Sequence, residues 1–180
     1  VHRTAIGKVR YNAGAAGVVY WQTSWQKDDR RENRIRRMNH SDIPAVALLL
    51  SSIQNTFRWK LDYGPWQTEI GGQMIFTDNH SKAGTGIVPV IPNYTEMQAG
   101  AYGIQKYRYE RTAVEAGIRL DRQETRAGGY DWTGNYYGGN RKFCNFTYGL
   151  GGHYRLSKYW ELTSNFALTW TASARKQCPT

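Results

Sequence analysis

The stretch Thr112-Ala113-Val114-Glu115-Ala116-Gly117-Ile118-Arg119-Leu120-Asp121 decides the fold class, because apolar residues stand at every second position from Val114. Val114, Ala116, Ile118 and Leu120 fall on one side of an extended chain, and the residues between them are charged or glycine. An amphipathic helix would instead repeat its apolar residues every three or four positions. The stretch therefore predicts a long β-strand with one apolar face and one polar face.

The same period of two marks seven further segments of the chain. In chain order the eight predicted strands cover residues 4–11, 19–26, 47–62, 66–79, 96–107, 112–121, 144–156 and 160–170. The first has the weakest alternation, and Tyr102 and Ile104 leave the outward face of the fifth undecided. Helical spacing fails almost everywhere, so the sequence predicts an all-β fold.

The connections between the predicted strands alternate in length. Short turns fit residues 12–17, 63–65, 108–111 and 156–158, and long polar links fit residues 27–44, 80–93 and 125–141. Short turns at one end and long loops at the other describe an antiparallel up-and-down meander. Its strands of roughly 12 to 16 residues exceed the ~5–6 residues that are usual in globular sheets.

The composition narrows the class further. The 180 residues include 7 Trp, 13 Tyr, 5 Phe and 19 Gly, yet the mean hydropathy is −0.68. Disordered chains are poor in aromatic residues, so this content excludes wholesale disorder. The longest apolar run covers residues 45–50, far short of the ~20 residues that a membrane helix needs. The net charge of +10 favours an anionic partner such as nucleic acid, acidic lipid or an anionic solute.

Long strands with one oily face and one wet face fit a transmembrane β-barrel. Such barrels alternate apolar-out and polar-in, with short turns, long external loops and aromatic girdles. Here aromatic residues gather near the predicted strand ends, at Trp59, Tyr63, Trp66, Tyr107, Tyr109, Tyr154, Tyr159 and Trp160. A water-soluble barrel or sandwich also alternates on its inward faces and stays open as an alternative. Strand length and a polar face rich in Gly, Thr, Asn and Gln favour the membrane barrel.

A set of short motifs adds a family resemblance to this interpretation. The motifs are DDRRE at residues 28–32, SDIPA at 41–45, WQTEIGGQ at 66–73, GTGI at 84–87, PVIPNY at 89–94, EAGIRLD at 115–121 and LTSN at 162–165. In their order and spacing they resemble the barrel part of TonB-dependent outer-membrane receptors, over roughly residues 18 to 170. The resemblance implies that residues 1–170 form part of such a barrel, in a family that closes roughly 22 strands.

Two departures from the family pattern bear on the domain organisation. Residues 171–180, TASARKQCPT, lose the alternation and lack the terminal aromatic residue of an outer-membrane assembly signal. We therefore expect them to be a non-native or truncated tail. The plug domain and its TonB-contacting segment have no counterpart in these 180 residues. We therefore expect the chain to be a fragment of a receptor barrel.

The resemblance implies uptake of a scarce solute, a ferric siderophore or similar iron complex foremost, across the outer membrane of a Gram-negative bacterium. The implied partners are the TonB system through the missing plug domain, outer-membrane lipid and lipopolysaccharide, and a small-molecule ligand such as a ferric chelate. The residues leave an alternative open, a self-contained eight-stranded outer-membrane barrel with a structural or adhesive role. That barrel would require the strand at residues 4–11 to pair with residues 161–170.

Two segments of the long links are candidates for ligand binding, since binding residues concentrate on loops. The first is GGYDWTGNYYGGNR at residues 128–141, which offers Tyr130, Trp132, Tyr136, Tyr137 and Arg141. Tyrosine and tryptophan give a large contact area at low entropic cost, although a flexible loop with interfacial aromatics would have the same composition. The second is the arginine-rich stretch at residues 30–37, in which the candidates are Arg34, Arg36 and Arg37. Arginine recognises carboxylate and phosphate, and the alternative is a solvated extension of a strand.

Other site chemistry has no signature in the sequence. The four histidines at positions 2, 40, 80 and 153 are too scattered for a metal-binding motif, and the two cysteines do not form a CxxC pair. The glycine-rich run at residues 149–152 lies inside an alternating strand and opens no helix, so it is not a phosphate loop. Basic and aromatic residues occupy different ends of the predicted strands, which disfavours a nucleic-acid partner. We predict no enzyme activity, no metal site and no cofactor.

Overall fold

Eight antiparallel strands lie side by side in chain order and form one sheet. The computed structural model describes residues 1–32, 44–82, 92–131 and 133–173. Its strands are β1 (His2–Asn12), β2 (Val18–Glu32), β3 (Val46–Tyr63), β4 (Trp66–Ser81), β5 (Asn93–Tyr109), β6 (Thr112–Tyr130), β7 (Tyr136–Arg155) and β8 (Glu161–Ser173). This topology confirms the all-β antiparallel meander. No helix among the described residues is long and apolar enough to cross a membrane.

The strands run further than the alternation predicts. The prediction of a long loop over residues 125–141 is wrong. β6 continues to Tyr130 and β7 begins at Tyr136, and Thr125 is paired with Arg141. The second strand likewise continues to Glu32, through residues that we assigned to a link. Backbone hydrogen bonds do not depend on side-chain polarity, so pairing persists where both faces become polar. The strands consequently reach 20 residues in β7 rather than 12 to 16.

The short turns agree with the prediction and include two tight hairpins. Gly64 and Pro65 alone join β3 to β4, and Glu110 and Arg111 alone join β5 to β6. The first residue of each pair has a left-handed backbone, with φ of 55° at Gly64 and 47° at Glu110. A positive φ at this position matches the primed turns that suit the right-handed twist of two-residue hairpins.

The register assigns every strand residue to one of two faces, because residues opposite each other point the same way. One row crosses the sheet through Val9, Trp21, Phe57, Gly72, Ala101, Leu120, Phe146 and Trp170, and we call its side the apolar face. The next row crosses through Lys8, Gln22, Thr56, Gln73, Gly100, Asp121, Asn145 and Thr171, on what we call the polar face. Tyr102 and Ile104, which the sequence left undecided, lie on the polar face.

Burial is inverted relative to a water-soluble domain. On β6, Ile118 and Leu120 of the apolar face are 59% and 56% exposed, whereas Arg119 and Asp121 of the polar face are half-buried. Among the described residues only Ala47, Cys144 and Ala172 are buried hydrophobic residues. A globular domain buries its apolar surface between two packed layers, and this sheet has one. The polar face is the more enclosed one, and a cavity of about 870 Å³ lined mainly by its residues lies against β4–β8, so the sheet curves around this face, which we call the concave face.

Both edges of the sheet are unpaired in the part of the chain that the structure describes. There β1 pairs only with β2, and β8 only with β7. The ladder between the first and last strands that a self-contained barrel requires is not present among these residues. β8 also includes residues 171–173, the first three of the predicted tail, with Thr171 opposite Asn145. The remainder of that tail lies outside the described residues.

Candidate functional site on the concave polar face

A row of arginine and tyrosine side chains crosses the concave face. The register places Arg10, Tyr20, Arg58, Tyr102 and Arg119 in line, with Gly71 between Arg58 and Tyr102. We call these five residues the arginine–tyrosine row. The Arg58 guanidinium carbon lies 4.4 Å from the ring centroid of Tyr20, and that of Arg10 lies 5.7 Å away. Tyr20 is thus held between two cations at cation–π distance.

Tyr102 lies flat across the neighbouring strand instead of pointing away from the sheet. Its hydroxyl donates a hydrogen bond of 2.9 Å to Glu69 Oε1, and its ring covers Gly71 so closely that a Cβ there would overlap the ring atoms. Gly71 is buried beneath it. Only glycine leaves room for this approach, which explains why a strand interior contains a residue that weakens strands.

Arg119 makes a two-pronged ion pair along its own strand. Its Nε and Nη2 atoms each donate a 2.7 Å hydrogen bond to a different oxygen of Asp121. The pair rests on Gly100 of β5, where a Cβ would collide with the Asp121 carboxylate. Bidentate geometry of this kind fixes both side chains, so the guanidinium lies along the surface of the sheet.

Other carboxylates on the concave face also have local partners. Glu96 accepts hydrogen bonds from Gln98 at 2.6 Å, from Gln123 at 2.8 Å and from the Thr125 hydroxyl at 3.0 Å. Lys106 pairs with Glu115 at 2.7 Å. Glu115 is therefore paired with a cation, whereas Glu69 and Glu96 accept hydrogen bonds from uncharged hydroxyl and amide donors.

The β1–β3 end of the row has an excess of positive charge. Within the described residues, Arg10 and Arg58 have no carboxylate at ion-pair distance, and Lys8 and Lys60 occupy the rows on either side. A cavity of about 870 Å³ lies against the other end of the row and is lined by Glu69, Tyr102, Lys106 and Arg119 among others. The arrangement can attract and orient an anionic or hydroxyl-rich solute. Among the described residues no group of three His, Cys, Asp or Glu side chains could hold a metal ion.

The predicted aromatic cluster at residues 130–141 is divided between the two faces. Tyr130 and Tyr136 lie on the apolar side with ring centroids 5.5 Å apart, edge to face. Tyr137 and Arg141 lie on the polar side, where Tyr137 covers Gly129. The structure therefore does not bring these four residues together. Their role in ligand binding stays a prediction, and Trp132, Arg34, Arg36 and Arg37 lie outside the described residues.

The tip of this hairpin is tied down by Asp131. Its Oδ1 atom accepts hydrogen bonds from the Thr133 hydroxyl at 2.6 Å and from the backbone N–H groups of Thr133 and Asn135, both at 2.8 Å. These bonds, the Thr133 hydroxyl first, lower the pKa of Asp131 below its ordinary value. The β6–β7 connection is thus a closed turn rather than a free glycine-rich loop.

The arginine–tyrosine row has no signal in the sequence that could have revealed it. Its members stand on five strands and are separated by between 10 and 44 positions along the chain. Only the register brings them together. Comparison with family models, with curated proteins and with solved structures found no match to this chain.

Proposed function

We propose that this chain is a wall section of an outer-membrane β-barrel that takes up a scarce solute, in the manner of TonB-dependent receptors. The observation that supports the membrane location is the inverted burial. Apolar side chains cover the convex face of a single-layered sheet, and polar side chains cover the concave face. Such a sheet is stable where hydrocarbon contacts one face and water the other.

The height of the apolar face suits a bilayer. On β7 its apolar part runs from Cys144 to Tyr154, which is ten residue steps. At ~3.3 Å per residue this stretch is about 33 Å long, and a strand tilt of about 40° reduces its height to about 25 Å. That height equals the apolar band of about 25 Å in outer-membrane barrels.

Aromatic residues line the short-turn end of the apolar face. Tyr63, Trp66 and Tyr107 meet across β3, β4 and β5, and the rings of Trp66 and Tyr107 are 4.7 Å apart. Tyr11, Trp59, Tyr109 and Tyr154 continue the line along the same end. Aromatic belts of this kind sit at the headgroup level of membranes.

The concave face supports the transport part of the proposal. Arg10 and Arg58, which have no carboxylate at ion-pair distance among the described residues, would attract an anionic solute such as a ferric siderophore or similar iron chelate. The concave face would then present aromatic rings and paired charges along the path of the solute. The sequence resemblance supports the TonB-dependent class. The edges at β1 and β8 have no strand partner in the described part of the chain, which favours a section of a larger barrel over a self-contained eight-stranded one with a structural or adhesive role.

Two experiments test the two parts of the proposal separately. Refolding from urea with and without phosphatidylcholine vesicles, followed by flotation, tests the membrane location; the chain is expected to float with vesicles and to precipitate without them. A chain that stays dispersed and folded without lipid contradicts it. For transport, uptake of a radioactive ferric chelate by the source bacterium is compared for Arg10→Gln/Arg58→Gln and for Lys158→Gln, a control on a short turn. Equal uptake by both variants contradicts the transport role.

A further inference from the structure

The β6–β7 hairpin carries two exposed tyrosines on its convex side. Tyr130 and Tyr136 stand directly opposite each other near the tip of the hairpin and are 63% and 67% exposed. Charged or amide residues at positions 122, 124, 126, 140 and 142 of the same face separate them from the apolar side chains of the sheet. The two rings therefore belong neither to the apolar part of this face nor to the aromatic line at its short-turn end.

Tyr136 lies flat on a floor of two glycines. Gly128 and Gly138 stand opposite each other in the next row, and a Cβ at either position would overlap the Tyr136 hydroxyl. The Cβ at Gly128 would also lie 3.3 Å from Cε2 of the ring, and the Cβ at Gly138 would lie 3.1 Å from Cε1. Because the glycines lie beneath opposite edges of the ring, its plane is parallel to the sheet and its upper side faces the solvent.

Tyr130 forms a wall beside this floor. The two ring centroids are 5.5 Å apart and the ring planes meet at 69°, so Tyr130 is upright where Tyr136 is flat. We call this pair the tyrosine corner. The turn beyond it is held by the hydrogen bonds of Asp131, so the corner is formed before any ligand arrives.

Planar polar groups border the corner on the side toward the sheet. Arg126 donates to Glu124 Oε1 from Nε at 3.0 Å and from Nη2 at 2.8 Å, and the Asn140 amide donates to the same oxygen at 3.2 Å. These bonds fix the three side chains. Within the described residues they leave Arg126 Nη1 and the Asn140 carbonyl oxygen without a hydrogen-bond partner, one as a donor and one as an acceptor.

A sugar ring suits this combination of a flat aromatic floor and a polar border. A pyranose with equatorial hydroxyls presents only C–H groups on its two faces, and these can stack on an aromatic ring. The hydroxyls at its edge both donate and accept hydrogen bonds, which matches the free groups of Arg126 and Asn140. A protein partner suits it less, because a stable interface buries about 800 Å² per partner and two rings bordered by charges and glycine offer far less apolar area.

In the proposed barrel the corner stands outside the bilayer. Tyr136 lies eight residue steps beyond Cys144, where the apolar part of β7 ends. At ~3.3 Å per residue and a strand tilt of about 40°, the height of this stretch is about 20 Å. The headgroup layer is only about 5–8 Å deep. The corner therefore faces the external solution rather than the lipids of its own membrane.

We propose that the tyrosine corner binds a pyranose ring of a neutral glycan in the external solution. This inference goes beyond solute uptake, because the corner lies on the side of the sheet opposite the concave face. The sugar would stack on Tyr136, contact Tyr130 with its edge and exchange hydrogen bonds with Arg126 and Asn140. Such a site would attach the barrel to glycans that lie outside the membrane.

The test measures binding of cellohexaose, whose glucose rings have only equatorial hydroxyls, to the whole chain refolded in dodecylphosphocholine micelles. Saturation-transfer difference NMR gives the dissociation constant and shows which sugar protons face the protein. Tyr136→Ala is expected to weaken binding about tenfold. Gly128→Ala should weaken it as well, although both tyrosines are retained, since the added methyl group lifts the ring from its floor.

Two matched controls separate the corner from general effects of substitution. Gly139→Ala places a methyl group on the same hairpin with no atom within 4 Å of it, and Tyr159→Ala removes a tyrosine that is 80% exposed at the other end of β7. Both are expected to bind cellohexaose as the unmodified chain does. Circular dichroism checks that all four variants are folded.

Each outcome supports or overturns the proposal. Saturation of the C–H protons of the sugar faces, lost in Tyr136→Ala and Gly128→Ala and kept in both controls, supports it. Absent cellohexaose binding, unchanged binding by both variants, or equal binding of the acyclic sorbitol overturns it. Displacement of cellohexaose by a short oligothymidylate would assign the corner to nucleobases and also overturns it. Specific cellohexaose binding by a chain that does not float with vesicles supports the sugar site and contradicts the membrane location.

Discussion

Replacing Ile118 by arginine distinguishes a lipid-facing surface from a water-facing one. Ile118 stands near the middle of the apolar part of β6, between Ala116 and Leu120, and is 59% exposed. In water an exposed isoleucine is replaced by arginine at little cost. In hydrocarbon the same substitution places a charge in a medium that cannot solvate it.

The expected losses in the free energy of unfolding differ between a water-facing and a lipid-facing Ile118, and their ranges do not overlap. Full burial of an isoleucine contributes about 1.5–3 kcal/mol, and Ile118 is less than half buried, so in water the loss is about 1 kcal/mol or less. On the lipid face of a barrel, arginine near the bilayer midplane costs about 2–4 kcal/mol. That range corresponds to a decrease of roughly thirtyfold to a thousandfold in the ratio of folded to unfolded chain.

The assay is a urea titration of the chain in phosphatidylcholine vesicles, followed by tryptophan fluorescence. Asn140→Arg is the control, because Asn140 belongs to the same face of β7 beyond the apolar positions and beside Glu124. Arginine there is expected to change the free energy of unfolding by about 1 kcal/mol or less. The reasoning is refuted if Ile118→Arg destabilises no more than Asn140→Arg, or if it yields a folded, lipid-free monomer.

Three further predictions concern side-chain packing and turns. Gly71→Ala should destabilise the sheet by about 1–3 kcal/mol, since the added methyl group displaces the ring of Tyr102; in a Tyr102→Ala background the same change should cost little, which a double-mutant cycle in urea measures. Glu110→Gly should stabilise the β5–β6 hairpin by about 1 kcal/mol by relieving its left-handed backbone, and an unchanged urea midpoint would contradict this. Because the pKa of Asp131 is lowered, its carboxylate stabilises the turn fully above the ordinary pKa of 3.8. This contribution to stability is lost as pH falls through the lowered pKa. The protection of the Asn135 amide against hydrogen exchange, taken relative to its intrinsic exchange rate at each pH, should therefore decrease in acid, and Asp131→Asn should remove that decrease.

The alternation in the sequence was sufficient to predict the strands, the order of short turns and the apolar face. It succeeded at residues 112–121 because polar and apolar residues separate cleanly there. It failed at residues 125–141, where glycine, polar and aromatic residues occur on both faces and the period disappears, although the backbone stays paired over 125–130 and 136–141. Tyr102 and Ile104 were ambiguous for a related reason, since Ala101 and Gly103 give the opposite face no stronger apolar character.

The candidate site was harder to predict than the fold. Tyr136 and Tyr137 are adjacent in sequence and looked like one aromatic cluster, but consecutive strand residues point to opposite faces. The arginine–tyrosine row depends on pairing between residues as distant as Tyr20 and Arg58, and no local pattern specifies that register. Contacts across strands are therefore the part of this sheet that a single sequence conceals.

The glycines beneath the flat side chains have a consequence for passage through the proposed barrel. Because Tyr102 lies along Gly71 and the Arg119–Asp121 pair lies along Gly100, these bulky groups occupy the thickness of the wall rather than the bore. A solute passing this wall would meet the flat side of an aromatic ring and the edges of locked ion pairs, with few mobile side-chain ends to displace. Filling the glycine positions would push those groups toward the axis and narrow the channel without adding any residue to its circumference.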